Sequence, residues 1–192
     1  REKGGIRGFL FLLCGLGNKG LAYKNTRHNI GFLVIDHFSK RFKVSLRKKV
    51  CNCRVGFYNQ VILAKPDTFM NLSGGPVSAL IKEMAMPLED VIVIHDDIDM
   101  EFGRMRIKWN GRDGGHKGVR SIIENLQSRL FYRMKIGIGR DKSMPPEDYV
   151  LSKFKEEELE ALTEVLDRAV DAVHMFLFEG KEKAMSIYNR SV

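Results

Sequence analysis

The run CGLGNKGLAYKNTRHNIGF, residues 14–32, admits two folds. Gly15-Leu16-Gly17-Asn18-Lys19-Gly20 matches G-x-G-x-x-G, the turn that cradles a pyrophosphate in dinucleotide-binding sheets. Eight residues after it, His28 stands in Thr26-Arg27-His28-Asn29. A dinucleotide turn needs a helix opening on its last glycines, and an acid about 20 residues on at the end of the next strand. Here LAYKNTRH, 21–28, comes before the first convincing helical face. Asp36 is at about the right distance but falls inside that helix, and the next strand pair ends in Lys65-Pro66 with no acid in place. The stretch therefore reads as a glycine turn that presents Asn18, followed by a histidine placed for chemistry.

Working outward, Phe9–Cys14 is a short apolar run ending at glycine, as a buried strand does. Residues 29–42 put Ile30, Leu33, Val34, His37, Phe38 and Phe42 on one helical face. Residues 50–57 and 60–65 read as a hairpin around Tyr58-Asn59. SGGPVSALIKEM, 73–84, reads as a helix capped by Ser73 with Pro76 in its first turn. VIVIH, 91–95, is apolar on both faces, as in a central strand. Residues 104–109 alternate, Val119, Ile122, Ile123 and Leu126 mark a helix, and 132–139 alternate again. Residues 156–179 carry a stripe of Leu159, Leu162, Leu166, Ala169, Val170, Val173 and Phe176, with Gly180 as its stop. Strands interleaved with helices give one α/β domain, 9–192, built on a mixed, mostly parallel central sheet flanked by helices. Residues 1–8, REKGGIRG, read as a frayed tail or expression remnant rather than a signal peptide.

The chain has 192 residues and a net charge of +8, which suits a polyanionic partner, nucleic acid first. KRFKVSLRKK, 40–49, carries six basic residues, while 155–167 leans acidic. No apolar run reaches the roughly 18 residues of a membrane span, which points to the cytoplasm. Three cysteines, Cys14, Cys51 and Cys53, argue against a secreted disulfide scaffold. Cys51-Asn52-Cys53 lacks the spacing of a zinc knuckle and reads as small residues of an alternating strand.

Three polar motifs follow strands: GLGN after the first, KPDTFMNLSG after 60–65, and HDD at the end of 91–95. In open α/β sheets such ends converge on one crevice. The toolkit is a histidine, a carboxylate and two amides. His28 suits a general base, Asp96 or Asp97 its orienting acid, and Asn18 and Asn71 donors to a polarised oxygen. No G-x-S-x-G elbow is present, so a base acting on water is simpler than a covalent intermediate. His95, Asp96, Asp97 and Asp99 lie within five residues, yet alternation points Asp96 away from His95 and Asp97, which reads against a metal. GGHKG, 114–118, puts His116 and Lys117 at a helix start, a place for an anion.

GLGN–G––Y–NTRHNIGF, KP–TFMNLSG, VIHDD–D––FG––R–K, GGH–G–RSI and YR–KIGIGR follow one another in this chain in an order and spacing that resemble the bacterial-type peptidyl-tRNA hydrolase family. The resemblance runs from about Phe9 to the C-terminal helix. It implies a monomeric α/β enzyme without metal or cofactor that hydrolyses the ester between peptide and tRNA, recycling tRNA from abandoned translation. It implies His28 as base, Asp96 as its partner, and Asn18, Tyr23, Met70, Asn71, His116 and Lys117 on the substrate side. Lys108 and Lys135 would clamp tRNA phosphates. Two positions depart from the family pattern: Lys19 stands where proline is usual, and Lys117 where asparagine often follows the histidine. The alternative is a non-catalytic RNA-binding paralogue, against which the presence of His28, Asp96, Asn18 and Asn71 argues.

Overall fold

The computed structural model describes residues 11–190; the expected tail at 1–8 and the start of the first predicted strand lie outside them. The strands are β1 (Phe11–Gly15), β2 (Lys48–Val50), β3 (Cys53–Tyr58), β4 (Val61–Pro66), β5 (Val91–Asp97), β6 (Met105–Trp109) and β7 (Tyr132–Gly137). Among the described residues they form one seven-stranded sheet in the order β2-β3-β4-β1-β5-β7-β6. Strands β4, β1, β5 and β7 are mutually parallel at its centre, and β2 shares their direction. Strands β3 and β6 run against them near the two margins.

The helices are α1 (Ile30–Phe42), α2 (Gly74–Glu83), α3 (Lys117–Leu126), α4 (Pro146–Leu151), α5 (Glu156–Phe178) and α6 (Lys181–Tyr188). On one face of the sheet Ile30, Val34, Ile35 and Phe38 of α1 pack with Val165, Ala169, Val173 and Phe176 of α5 over Ile92 and Ile94. On the other, Val77, Leu80 and Ile81 of α2 join Val119 and Ile122 of α3 over Val91 and Val93. Strand β5 is thus buried on both faces, which is why its sequence is apolar without alternation.

Three local readings need correction. The predicted strand 50–57 is broken by a turn at Cys51-Asn52, where both residues have positive φ (49° and 58°) and turn β2 into β3. Only Cys53 of that pair lies in a strand. Ser73 does not cap α2. Its own backbone is helical, continuing a 3₁₀ turn at Met70–Leu72, and its hydroxyl donates back to the Met70 carbonyl at 2.7 Å. Leu159 leaves the predicted stripe of α5 and is 47% exposed. Gly180 does end α5, but its φ of 125° starts α6 at once, and Asn189 past that helix bonds both backbone groups of Ile107 on the edge strand β6. That pair of bonds blunts an edge that would otherwise template strand addition.

Strand β1 has β4 on one side and β5 on the other, the switch point at which an open sheet leaves a crevice beyond its carboxyl ends.

Candidate active site

Strands β1, β4 and β5 deliver Asn18, Met70 with Asn71, and Asp96 to that crevice, as the motif order predicts. The glycines of the opening stretch explain how His28 joins them. A Cβ on Gly15 would lie 2.2 Å from the Gly31 carbonyl oxygen, and one on Gly31 would lie 2.4 Å from that of Ile94. The first turn of α1 therefore rests directly on the backbones of β1 and β5. The 3₁₀ turn just before it, Arg27–Asn29, sets His28 beside Asp96. Gly17 packs under the Phe32 ring, and only Gly20 (φ 103°) uses left-handed freedom. The G-x-G-x-x-G match serves helix docking; Asp36, the would-be ribose acid, sits on the surface bonded to Lys65 at 2.5 Å.

His28 Nδ1 lies 2.9 Å from both oxygens of Asp96. Its Nδ1–H donates to the carboxylate, and Nε2 keeps the lone pair in the cleft that His28 lines. His116, the residue that caps α3, supplies a second donor. Its Nδ1 accepts the Val119 N–H at 3.2 Å, so the proton is on Nε2, which donates to Asp96 Oδ1 at 2.9 Å. With both nitrogens engaged, His116 steadies the acid, and an anion at this helix start falls to Lys117. Burial alone would raise the Asp96 carboxyl. The two imidazoles that face it, each turning an N–H toward the carboxylate, outweigh it and hold the group ionised far below the ordinary carboxylate range.

The donor atoms of His28, Asp96 and His116 lie within 4.8 Å of one another, the spacing of a cation site. The protons work against a cation there: His28 Nδ1 and His116 Nε2 both carry one toward Asp96. Freeing His116 Nε2 would force a proton onto Nδ1 and break the cap to Val119.

His95 lies on the opposite face of β5 from Asp96. Its Nδ1–H donates to the Asp96 carbonyl at 2.7 Å, and its ring centroid lies 4.6 Å from that of His116, the planes tilted by 57°. Burial, then the neighbouring His116, pushes the His95 imidazole well below its usual range against the pull of Asp96, so it stays neutral. Lowered in the fold relative to the unfolded chain, it contributes stability that is complete above about pH 6.5 and lost as pH falls below it, at up to ~1.4 kcal/mol per unit. We expect the urea midpoint to drop between pH 6.5 and 5, and His95→Phe to flatten that drop. An equal slope in the variant would remove His95 as its source.

The Asn18 carboxamide oxygen accepts the Met70 N–H at 2.7 Å, so its NH₂ is the group offered to the cleft. Its backbone is gripped by Asn29, which accepts the Asn18 N–H at 2.8 Å and donates to the Asn18 carbonyl at 2.9 Å. Lys19 also anchors this turn. Its N–H donates to the Thr68 carbonyl at 3.0 Å, a bond proline lacks, and its ammonium lies over Phe69. These two contacts offset the stiffness that a proline would have given the turn. Asn71 and Lys117 are exposed on the cleft wall.

Of the remaining predicted residues, Tyr23 and Lys108 stand outside the cleft lining. Tyr23 does not line the cleft; it packs edge-on to Phe69, 6.2 Å between centroids. Lys135 lines the cleft, 3.2 Å from Asp97. Lys108 lies outside it on β6, opposite Arg133, on the same sheet face as Lys135. Asp99 is exposed, and Asp97 folds the turn after β5 by accepting the Asp99 N–H.

Sequence reasoning missed Asn29, Arg27 and His95. Asn29 sits where a helix cap would, and its side chain turns to Asn18 instead. It also missed the far wall of the cleft, Pro146, Glu147, Val150 and Leu151 of α4, which has no periodicity to announce it. The whole cleft encloses about 610 Å³.

Fold and site together define an α/β domain whose cleft, at the carboxyl ends of its parallel strands, holds a histidine bonded to a buried carboxylate. The family model for peptidyl-tRNA hydrolase matches residues 12–192. A peptidyl-tRNA hydrolase of Citrifermentans bemidjiense is 43% identical over 182 residues, 93% of this chain and 97% of that protein. One of Thermodesulfovibrio yellowstonii is 40% identical over 187 residues, 94% and 100% of the two chains. The crystal structure of peptidyl-tRNA hydrolase from Acinetobacter baumannii superposes with a TM-score of 0.84 at 31% identity, covering 92% of this chain and 93% of that one. The chain belongs to the peptidyl-tRNA hydrolase family.

Proposed function

We propose that this chain hydrolyses the ester joining a peptide to the 3′ end of tRNA, releasing free peptide and reusable tRNA. The observation that carries the reading is the contact of His28 Nδ1 with both oxygens of Asp96, each at 2.9 Å. The Nδ1–H is spent on an ionised Asp96, and Nε2 is left as a base in a cleft also lined by amides. Nε2 takes a proton from water as the oxygen attacks the ester carbonyl carbon. The Asn18 NH₂, whose oxygen is already taken by Met70, donates to the developing oxyanion. Asn71 holds the peptide backbone beside it. The imidazolium then passes its proton to the leaving ribose oxygen.

The same reading gives the basic residues their work. Lys135 and Lys108, on one face of β7 and β6, hold phosphates of the acceptor arm, and Lys117 at the start of α3 takes another. Tyr23 and Phe69 meet the substrate's end at the rim next to Met70. Residues 9–192 work as one domain, a monomer acting in the cytoplasm, where its substrate arises. No helix among the described residues is long and apolar enough to cross a membrane.

Release of an N-blocked aminoacyl group from tRNA by the unaltered chain tests the activity; no release above the uncatalysed rate would overturn it. Lys108→Ala is expected to weaken binding and lower the slope of log K against log salt by about one. An unchanged slope would take Lys108 out of the phosphate contacts. Lys117→Asn, which restores a side-chain acceptor at the cost of a charge, should likewise lower the slope if Lys117 touches phosphate.

A further inference from the structure

The residue just before His28 carries a network that catalysis by His28 does not need. Arg27 is only 3% exposed. Its Nη1 donates to Ser152 Oγ at 2.9 Å and to the Lys153 carbonyl, and its Nη2 pairs with Glu158 at 2.6 Å. Its guanidinium lies over the rings of Tyr149 and Phe154, at 4.7 and 5.2 Å. Every one of these partners belongs to the segment from α4 to the first turn of α5, more than 120 residues away in the chain. Val150 and Leu151 of α4 line the same cleft as Asn18, His28 and Met70.

We propose that Arg27 is a positioning residue that latches α4 to the turn carrying His28 and so sets the width of the cleft in which substrate is held. The inference rests on the hydrolase reading of that cleft and adds to it a determinant of substrate grip. The planar guanidinium reaches an ion-pair partner, a hydroxyl and a carbonyl at once; a lysine ammonium keeps the charge without that fork. Other ties keep α4 near its place without the latch. The Arg27 N–H donates to the Ser152 carbonyl at 3.0 Å, and the Tyr149 hydroxyl donates to the Ile138 carbonyl at 2.7 Å. Losing the fork therefore loosens the wall and leaves the fold. His28 has its own anchor in Asp96, so the base is untouched.

The test is steady-state hydrolysis of N-blocked aminoacyl-tRNA by the unaltered enzyme, Arg27→Lys and Glu158→Gln, with amide hydrogen exchange across residues 146–154. The expected result is a KM raised on the order of tenfold in Arg27→Lys and less in Glu158→Gln. The value of kcat and the acid limb of its pH profile stay as in the parent, and exchange in 146–154 is faster. Glu158 is only partly buried, and glutamine keeps an acceptor for the Lys155 N–H, so this variant carries the test if Arg27→Lys does not fold. Parental KM in folded variants overturns the latch. So does a fall in kcat with a displaced pH limb at unchanged KM, which would put the effect on His28. Absence of turnover in the unaltered enzyme would instead strike the hydrolase reading. The exchange arm then decides the latch, and parental protection of 146–154 in the variants overturns it.

Discussion

His28→Ala is expected to lower kcat by roughly 10²–10⁴ while tRNA affinity stays within a few fold. The separation follows from where the residue sits. His28 lines the cleft proposed to hold the ester, is 8% exposed, and is bonded through its side chain to Asp96. The basic side chains proposed to meet phosphate are separate residues, Lys108 outside the cleft on β6 and Lys117 and Lys135 on the cleft wall. Losing the imidazole thus removes the acceptor for the water proton without removing a binding charge. The remaining rate comes from the Asn18 donor and from holding the ester in place. The measurement is single-turnover release of a blocked aminoacyl group alongside equilibrium binding of the deacylated tRNA. A variant that keeps kcat within threefold would end the general-base assignment, and a parallel collapse of binding would show that alanine had disturbed the fold.

How far the sequence could be read depends on whether the physics was local. Strand β5 is apolar on both faces because helices cover both, and that pattern is visible in VIVIH alone. The gathering of Asn18, Met70, Asn71 and Asp96 follows from their places just after parallel strands, so order along the chain was enough. The alternation of β5 likewise separates Asp96 from His95 and Asp97 without any structure. The turn at Cys51-Asn52 was not legible, because neither residue is the glycine that positive φ usually selects. Helices α4 and α6 are six and eight residues long, too short for a hydrophobic period to declare itself. Arg27 is the clearest case. In sequence it is one more basic residue in a chain of charge +8, and its acceptors lie 125 to 131 residues away. Nothing local distinguishes a solvated arginine from a buried one, so this part of the site waited on the fold.

Asp96→Asn is the sharper test of how the base is held, with an expected loss in kcat of ~10⁴, the scale of a tautomer reversed in a serine-protease triad. Asp96 accepts two N–H donors, one from His28 Nδ1 and one from His116 Nε2. A carboxamide with its oxygen at Oδ1 still accepts from His116 Nε2, but it puts an NH₂ at the Oδ2 position, 2.9 Å from His28 Nδ1, where donor would face donor. One imidazole must therefore change tautomer. His116 is the costlier one to change, because its Nδ1 is already the acceptor for the Val119 N–H that starts α3. His28 has no such tie on its far nitrogen. It becomes the ring that accepts from the amide through Nδ1 and carries its proton on Nε2, the position that has to receive one from water. The enzyme keeps its histidine and loses its base. Because the two residues act as a unit, adding His28→Ala to Asp96→Asn should cost almost nothing more. Kinetics near neutral pH, where the native carboxylate is fully ionised, read both effects. If Asp96→Asn retains a tenth of the parental kcat, or if the double variant falls a further hundredfold, the two side chains do not share the proton geometry that their 2.9 Å contacts describe.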